Sequence, residues 1–240
     1  DAPASSAVPV GTPVLVELFT SEGCSSCPPA DRLLARLAAD QSVPGALVVP
    51  LSLHVDYWNH LGWKDLFSSS RYSERQSAYA ARLGRADRVY TPQMIVGGRT
   101  ELVGSDECAA RRVIEAEARE SKAFVRVLPA AAGAVRVTVA GAAGGADVFL
   151  AVVEDSLASD VTRGENAGRR LAHAAVVRDL RAVGAVDPAG RFDASVPLQA
   201  GRGARRVLAF AQERGAGRVL GVSVPVAAAT HSNSSRGDHP

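Results

Sequence analysis

The apolar positions of this chain change their rhythm about half-way along it. Val14 to Phe19 form a β-prone, mostly apolar run, which predicts a buried central strand. Thr20 to Gly23 supply turn chemistry, with Gly23 free to take a positive φ. Ala30, Leu33, Leu34, Leu37 and Ala38 then recur at a 3.6-residue period, predicting a helix that ends near Asp40. Pro28 and Pro29 suit its first turn, where backbone N–H groups have no intrahelical partner. Residues 46–53 are a second apolar run of strand length. Two β-rich runs around a helix predict a βαβ unit with a right-handed crossover.

Farther on, Tyr72, Gln76, Tyr79 and Leu83 mark one side of a helix over 69–84, closed by Gly84. Residues 89–103 read as a hairpin with a two-residue turn at Gly97-Gly98. Pro92 stands directly before its first strand, where a cis peptide bond would be purposeful. Ser105 is the expected N-cap of a helix running to about Glu120, and Cys108 in that helix reads as a buried thiol. Past residue 121 the pattern becomes short β-like runs at 123–128, 135–139, 147–154, 174–178, 192–198, 206–212 and 219–226. With no long helix between them they predict an antiparallel β-sandwich of about 100 residues. The expected organisation is a flexible leader over 1–12, a first domain over 13–121, the sandwich over 122–229 and a disordered tail over 230–240.

Composition narrows the function. Hydrophobic residues at 47% and charged residues at 22% are those of a soluble globular protein. A net charge of +2 gives no electrostatic case for nucleic acid or an anionic membrane. No apolar run approaches the ~18 residues needed to span a bilayer. Met94 is the only methionine, and the small, polar first residues look like the start of a mature exported protein, periplasmic or secreted.

The chemistry sits at Cys24-Ser25-Ser26-Cys27, between the first strand and its helix. Helix N-terminal amides stabilise a thiolate at Cys24, and Cys27 lies within one turn of it, the layout of a dithiol redox centre. An inert disulfide or half of a metal site uses the same residues, although no second CxxC or paired histidine motif completes a zinc site. After the second strand comes His54-Val55-Asp56-Tyr57-Trp58, at the sheet end where open α/β folds place their sites. Seven of the twelve aromatics fall between Tyr57 and Tyr90, so this loop is either an aromatic wall beside Cys24 or packing for an insertion. A long connection, Asp155 to His173, carries Arg163-Gly164-Glu165-Asn166. It suits either a shaped hydrogen-bonding loop or a solvated rim.

The order of strand, CxxC, helix, strand, helix, Thr-Pro, hairpin and helix resembles the thioredoxin fold. By that resemblance Cys24 attacks, Cys27 resolves, Pro92 faces the pair in the cis form, and Glu17 stands near the position of a buried acid. The segments 17–31, His54–Trp58, 62–65, Tyr90–Met94 and 163–169 are similar to a family of exported bacterial thioredoxin-like proteins catalogued as a domain of unknown function. The resemblance implies an α/β thioredoxin-like domain with a helical, aromatic insertion, followed by the β-sandwich. It also implies a thiol–disulfide oxidoreductase acting on protein thiols or disulfides, or on an upstream redox protein, with no cofactor beyond the Cys24–Cys27 disulfide. His54, Asp56, Tyr57, Trp58, Thr91, Arg163, Glu165 and Asn166 would then bind the partner. The alternatives are a copper chaperone using Cys24, Cys27 and His54, or a non-catalytic interaction module with a structural disulfide.

Overall fold

The computed structural model describes residues 11–86, 88–131, 133–199 and 204–228. The tail expected over 230–240 and most of the leader expected over 1–12 lie outside them. In chain order the first half is β1 (Thr12–Thr20), α1 (Pro28–Asp40), β2 (Ala46–His54), a 3-10 turn at Asn59–Leu61, α2 (Ser70–Arg82), β3 (Gln93–Val96), β4 (Thr100–Val103) and α3 (Glu107–Ala118). The second half is strand only. It comprises β5 (Phe124–Ala130), β6 (Ala134–Ala140), β7 (Asp147–Glu154), β8 (Leu157–Val161), β9 (Arg169–His173) and β10 (Val176–Ala185), then β11 (Phe192–Pro197), β12 (Arg205–Gln212), β13 (Val219–Val222) and β14 (Val226–Ala227).

Strand β1 explains its own mostly apolar run, because both of its faces are covered. Val14, Val16 and Leu18 meet Leu33, Leu34 and Leu37 of α1 and Ile114 of α3. Leu15 and Phe19 point the other way, into a core with Tyr72 and Tyr79 of α2 and Phe210 of β12. Each such buried side chain contributes on the order of 1.5–3 kcal/mol. Strand β2 lies parallel to β1, in register from Thr12↔Ala46 to Thr20↔His54. Strand β3 is antiparallel to β1 on its other side and continues into β4. That hairpin turns through three residues, Gly97-Gly98-Arg99, rather than the expected two. Gly97 and Gly98 take φ of 60° and 71°, a conformation that a Cβ would disfavour. Asp106, not Ser105, caps α3, its side chain accepting from the Ala109 N–H.

The expected division into an α/β thioredoxin-like domain with a helical insertion and a separate β-sandwich is not what forms. Among the described residues fourteen strands stand against three α-helices. One mixed, nine-stranded sheet runs β13-β12-β7-β10-β2-β1-β3-β4, with β14 on β12. The protein is therefore mostly β. Its two halves are joined by β10, which pairs parallel with β2 at Val176↔Ser52 and antiparallel with β7. The helix expected as part of an insertion is α2, laid directly on that sheet. Strands β11, β6 and β5 form a smaller sheet that covers Val148, Leu150, Val207 and Ala209. Period-2 patterning marks a strand without saying which sheet receives it, and here both halves feed one sheet. Strands β8 and β9 pair only with each other, as a two-stranded hairpin in the connection that read as loop.

Candidate functional site

The loop after β1 winds into α1 through Ser21, Cys24 and Cys27. The Cys24 N–H donates to Ser21 O, and the Cys27 N–H donates to Cys24 O. Cys27 is the N-cap of α1, and the Ala30 and Asp31 N–H groups both donate to its carbonyl. Cys24 and Cys27 are joined as a disulfide, their Cα atoms 5.5 Å apart. Both are fully buried, while Ser25 and Ser26 between them are exposed.

Three pieces of chain close over this turn. The first is the segment before β3, where Thr91–Pro92 is a cis peptide bond and the Thr91 carbonyl lies 3.9 Å from Cys24 Sγ. The second is the aromatic loop. Trp58 Nε1 donates to Thr91 Oγ1 at 2.8 Å, and a Cβ on Gly23 would stand 3.1 Å from that of Trp58. Gly23 thus eases the close approach of Trp58 and does not take a positive φ.

The third piece is the β8–β9 connection. Asn166, fully buried, donates from Nδ2 to the carbonyls of Glu22 (2.8 Å) and Cys24 (2.9 Å), while its Oδ1 accepts from Arg169. Glu165 accepts from the Ser25 N–H at 3.0 Å, and the Ser25 hydroxyl and N–H hold its carboxyl below the ordinary range. Asn166 and Glu165 thus fasten the stretch to the cysteine turn, while Arg163 and the other residues of 162–165 and 167–170 are exposed.

Other predicted residues serve elsewhere. Asp56 accepts from Ser73 Oγ and Tyr57 donates to Gln76, so both tie their loop to α2. Glu17 shares the β1 face of Leu15 and Phe19, opposite α1. There it is ion-paired to Arg75 at 2.6 Å and accepts from Tyr79 OH. A buried acid does lie on β1, but the two-residue alternation of the strand turns it from the disulfide. Cys108 is a free, exposed thiol rather than a buried one.

His54 does face this region, in company that spacing did not reveal. Its Nδ1 meets Asp65 Oδ2 at 2.7 Å, and the same oxygen accepts from the Glu22 N–H. Glu22 accepts from Trp63 Nε1 and meets His173 Nε2 at 3.2 Å. Asp31 lies 3.9 Å from His173 Nδ1. Burial pulls the His54 imidazole down, but Asp65, with Asp31 and Glu22 behind it, carries it above its ordinary value. Burial also opposes ionisation of Asp65, yet His54 and two backbone N–H groups bring it below the usual carboxylate range. Burial raises Asp31 against the pull of His173 and His54. Glu22, Asp31 and Asp65 all stood in the segments that carried the family resemblance, which was the one available signal. In this structure Cys24 and Cys27 hold each other and His54 holds Asp65. Among the described residues no three His, Cys, Asp or Glu side chains are arranged to share a metal ion.

A family model described as "Protein of unknown function (DUF1223)" matches residues 15–212. The chain belongs to that family. The crystal structure of protein AGR_C_4864 from Agrobacterium tumefaciens is similar at 29% identity, over 97% of this chain and 100% of that one, with a TM-score of 0.76. No curated protein matches. The matched span of this DUF1223 chain contains the disulfide, the Asn166 clamp and the buried His54–His173 cluster. No helix among the described residues is long and apolar enough to cross a membrane.

Proposed function

We propose that this DUF1223 protein is a thiol–disulfide oxidoreductase that uses Cys24 and Cys27 on protein thiols or disulfides outside the cytoplasm. The observation that carries the reading is a CxxC disulfide at the first turn of α1 with the Thr91 carbonyl, before a cis proline, against Cys24 Sγ. A helix N-terminus stabilises the thiolate that exchange releases. A lasting disulfide also suits an oxidising compartment.

In the oxidising direction a partner thiolate attacks Cys24 Sγ, and the Cys24–Cys27 bond breaks with Cys27 leaving as thiolate. A second partner thiolate attacks the partner sulfur of the mixed disulfide, and Cys24 leaves with the second electron pair. The partner dithiol is oxidised, the Cys24–Cys27 pair is reduced, and the reverse sequence reduces a partner disulfide. Both sulfurs are covered, so the 162–168 loop must lift before a partner reaches them. Asp56 and Tyr57 shape the loop that presents Trp58, and Glu165 and Asn166 control access.

The test is exchange with a disulfide-bonded peptide and with glutathione, comparing wild type with Cys24→Ser and Cys27→Ser. Reversible exchange lost in Cys24→Ser, with a trapped mixed disulfide in Cys27→Ser, is the expected result. Burial of both sulfurs favours a second reading, a structural bridge. Reduction only below about −300 mV would select that reading, whereas oxidoreductases lie between roughly −280 and −120 mV.

A further inference from the structure

Strand β10 meets β2 at one point only. The Ser52 N–H donates to Ala175 O at 2.8 Å, Val176 stands opposite Ser52, and β10 then runs on past the end of β2. On that side no strand among the described residues pairs with β2 from Ala46 to Leu51. The two halves of the large sheet part here, around a cavity of about 590 Å³. Ala35 and Ala38 of α1, Leu47 and Pro50 of β2, and Ala172 and Val224 of the second half are among its walls.

An open strand edge normally offers N–H and C=O groups to another strand. This one does not. Residues two apart along a strand turn their backbone groups to the same edge, so Val48 and Pro50 share the edge of Ser52. Gln41, the C-cap of α1 at φ 46°, takes the place of a neighbouring strand. Its Oε1 accepts from the Val48 N–H at 2.8 Å, and its Nε2 donates to Val48 O at 3.1 Å and to Ala38 O at 2.8 Å. Pro50 has no N–H to offer. The edge is closed to an added peptide strand, and the wall it leaves is apolar.

The charges on the lining are unequal. Arg206 is held by both oxygens of Asp155, at 2.6 and 2.8 Å, so its charge is answered. His173 meets Glu22 through Nε2. Arg32 is exposed and makes no hydrogen bond or ion pair among the described residues. Asp155 is the one acid on the lining among those residues. An apolar cavity with one unanswered guanidinium at its rim is complementary to a molecule with an apolar body and a single anionic head. An inorganic anion would leave the apolar wall in water. The volume is that of small-molecule sites, about 300–1,000 Å³, which favour seams between structural units.

We propose that this cavity binds a small monocarboxylate with an apolar body, its carboxylate on Arg32 and its body between α1 and the open edge of β2. The site is separate from the disulfide and independent of the oxidoreductase reading. Helix α1 contributes from Arg32 to Gln41, and no cysteine lines the cavity.

The experiment is isothermal titration of the full, oxidised chain with octanoate below its micelle concentration. Octanol and octyltrimethylammonium carry the same body with a neutral and a cationic head. The expected result is saturable, one-to-one binding of octanoate, with octanol at least fivefold weaker and octyltrimethylammonium weaker again. Arg32→Ser lowers octanoate affinity at least fivefold, to the level of octanol, and leaves octanol binding unchanged. Ala35→Leu and Ala38→Leu fill the cavity from half-exposed helix positions, where leucine suits a helix. Each lowers affinity for both octanoate and octanol at least tenfold, with melting of every variant followed alongside. Failure of octanoate to saturate overturns the proposal, as does equal binding of octanoate and octyltrimethylammonium. Octanoate affinity within twofold of wild type in Arg32→Ser, or in both leucine variants, overturns it too.

Discussion

Asn166→Ala is the sharpest perturbation the site offers. The side chain is fully buried and its amide donates to two carbonyls, Glu22 O and Cys24 O, that flank the start of the cysteine turn. Removing it takes this donor from Glu22 O, while Cys24 O keeps the Cys27 N–H, and an unsatisfied buried group costs on the order of 1–3 kcal/mol. A loss of about 1–3 kcal/mol follows, or a melting temperature roughly 2–12 °C lower for a chain of this size. The same change unfastens the 162–168 loop from the disulfide. Reduction of Cys24–Cys27 by dithiothreitol under native conditions is therefore expected to quicken at least tenfold. Thermal unfolding of the oxidised protein and stopped reduction with thiol counting measure the two effects separately. Asn166→Asp is expected to be worse than alanine, because a carboxylate would face two carbonyl oxygens. A melting temperature within 1 °C of wild type together with an unchanged reduction rate in Asn166→Ala would refute the clamp.

Arg75→Met strands the Glu17 carboxylate in the core and is expected to cost about 3–5 kcal/mol in urea unfolding, while thiol exchange per folded molecule stays unchanged; a change confined to exchange would return Glu17 to the redox site. His54 titrates above its ordinary 6.5 in the folded state, so the stability it contributes is complete below about pH 6.5 and lost as pH rises through its folded value. Melting of wild type should fall over that alkaline interval, and His54→Gln should flatten the slope, whereas parallel curves would count against the His54–Asp65 pair. Iodoacetamide on the native, oxidised protein should label one cysteine, exposed Cys108, and Cys108→Ser should take no label; labelling of Cys24 would mean the disulfide is open. Trp58→Phe loses the bond to Thr91 and should cost about 1 kcal/mol, with raised access to Cys24 read by the same dithiothreitol rate.

Local elements were legible because they depend on local rules. The period-3.6 stripe from Ala30 to Ala38 and the prolines before it marked α1, and the runs at 14–19 and 46–53 marked β1 and β2. The position of the cis Pro92 and the closeness of Cys24 to Cys27 were equally readable. Three things were not. Sheet membership is a long-range property, so nothing around Val176 announces Ser52 as its neighbour. The β8–β9 hairpin hides in a polar, glycine-containing stretch whose strands have too few apolar positions to alternate visibly. The cluster of Glu22, Asp31, His54, Asp65 and His173 is contributed by five separate segments, so no sequence window contains it. Glu17 shows what parity decides. It is a buried acid on the expected strand, and the alternation of that strand sets it against Arg75 and Tyr79.

The pairing of β10 with β2 also bears on how the chain comes to be folded. Strand β2 is one of the first parts made, and the strand that completes its far side is more than a hundred positions later. Until β10 arrives, β2 presents an open, mostly apolar edge of a parallel sheet. Such edges recruit other strands, including those of neighbouring copies. Contacts this distant in sequence also slow folding, because a long loop must close before they form. Synthesis from the N-terminus therefore leaves β2 waiting, and nascent or truncated chains ending before β10 should aggregate where the full chain folds.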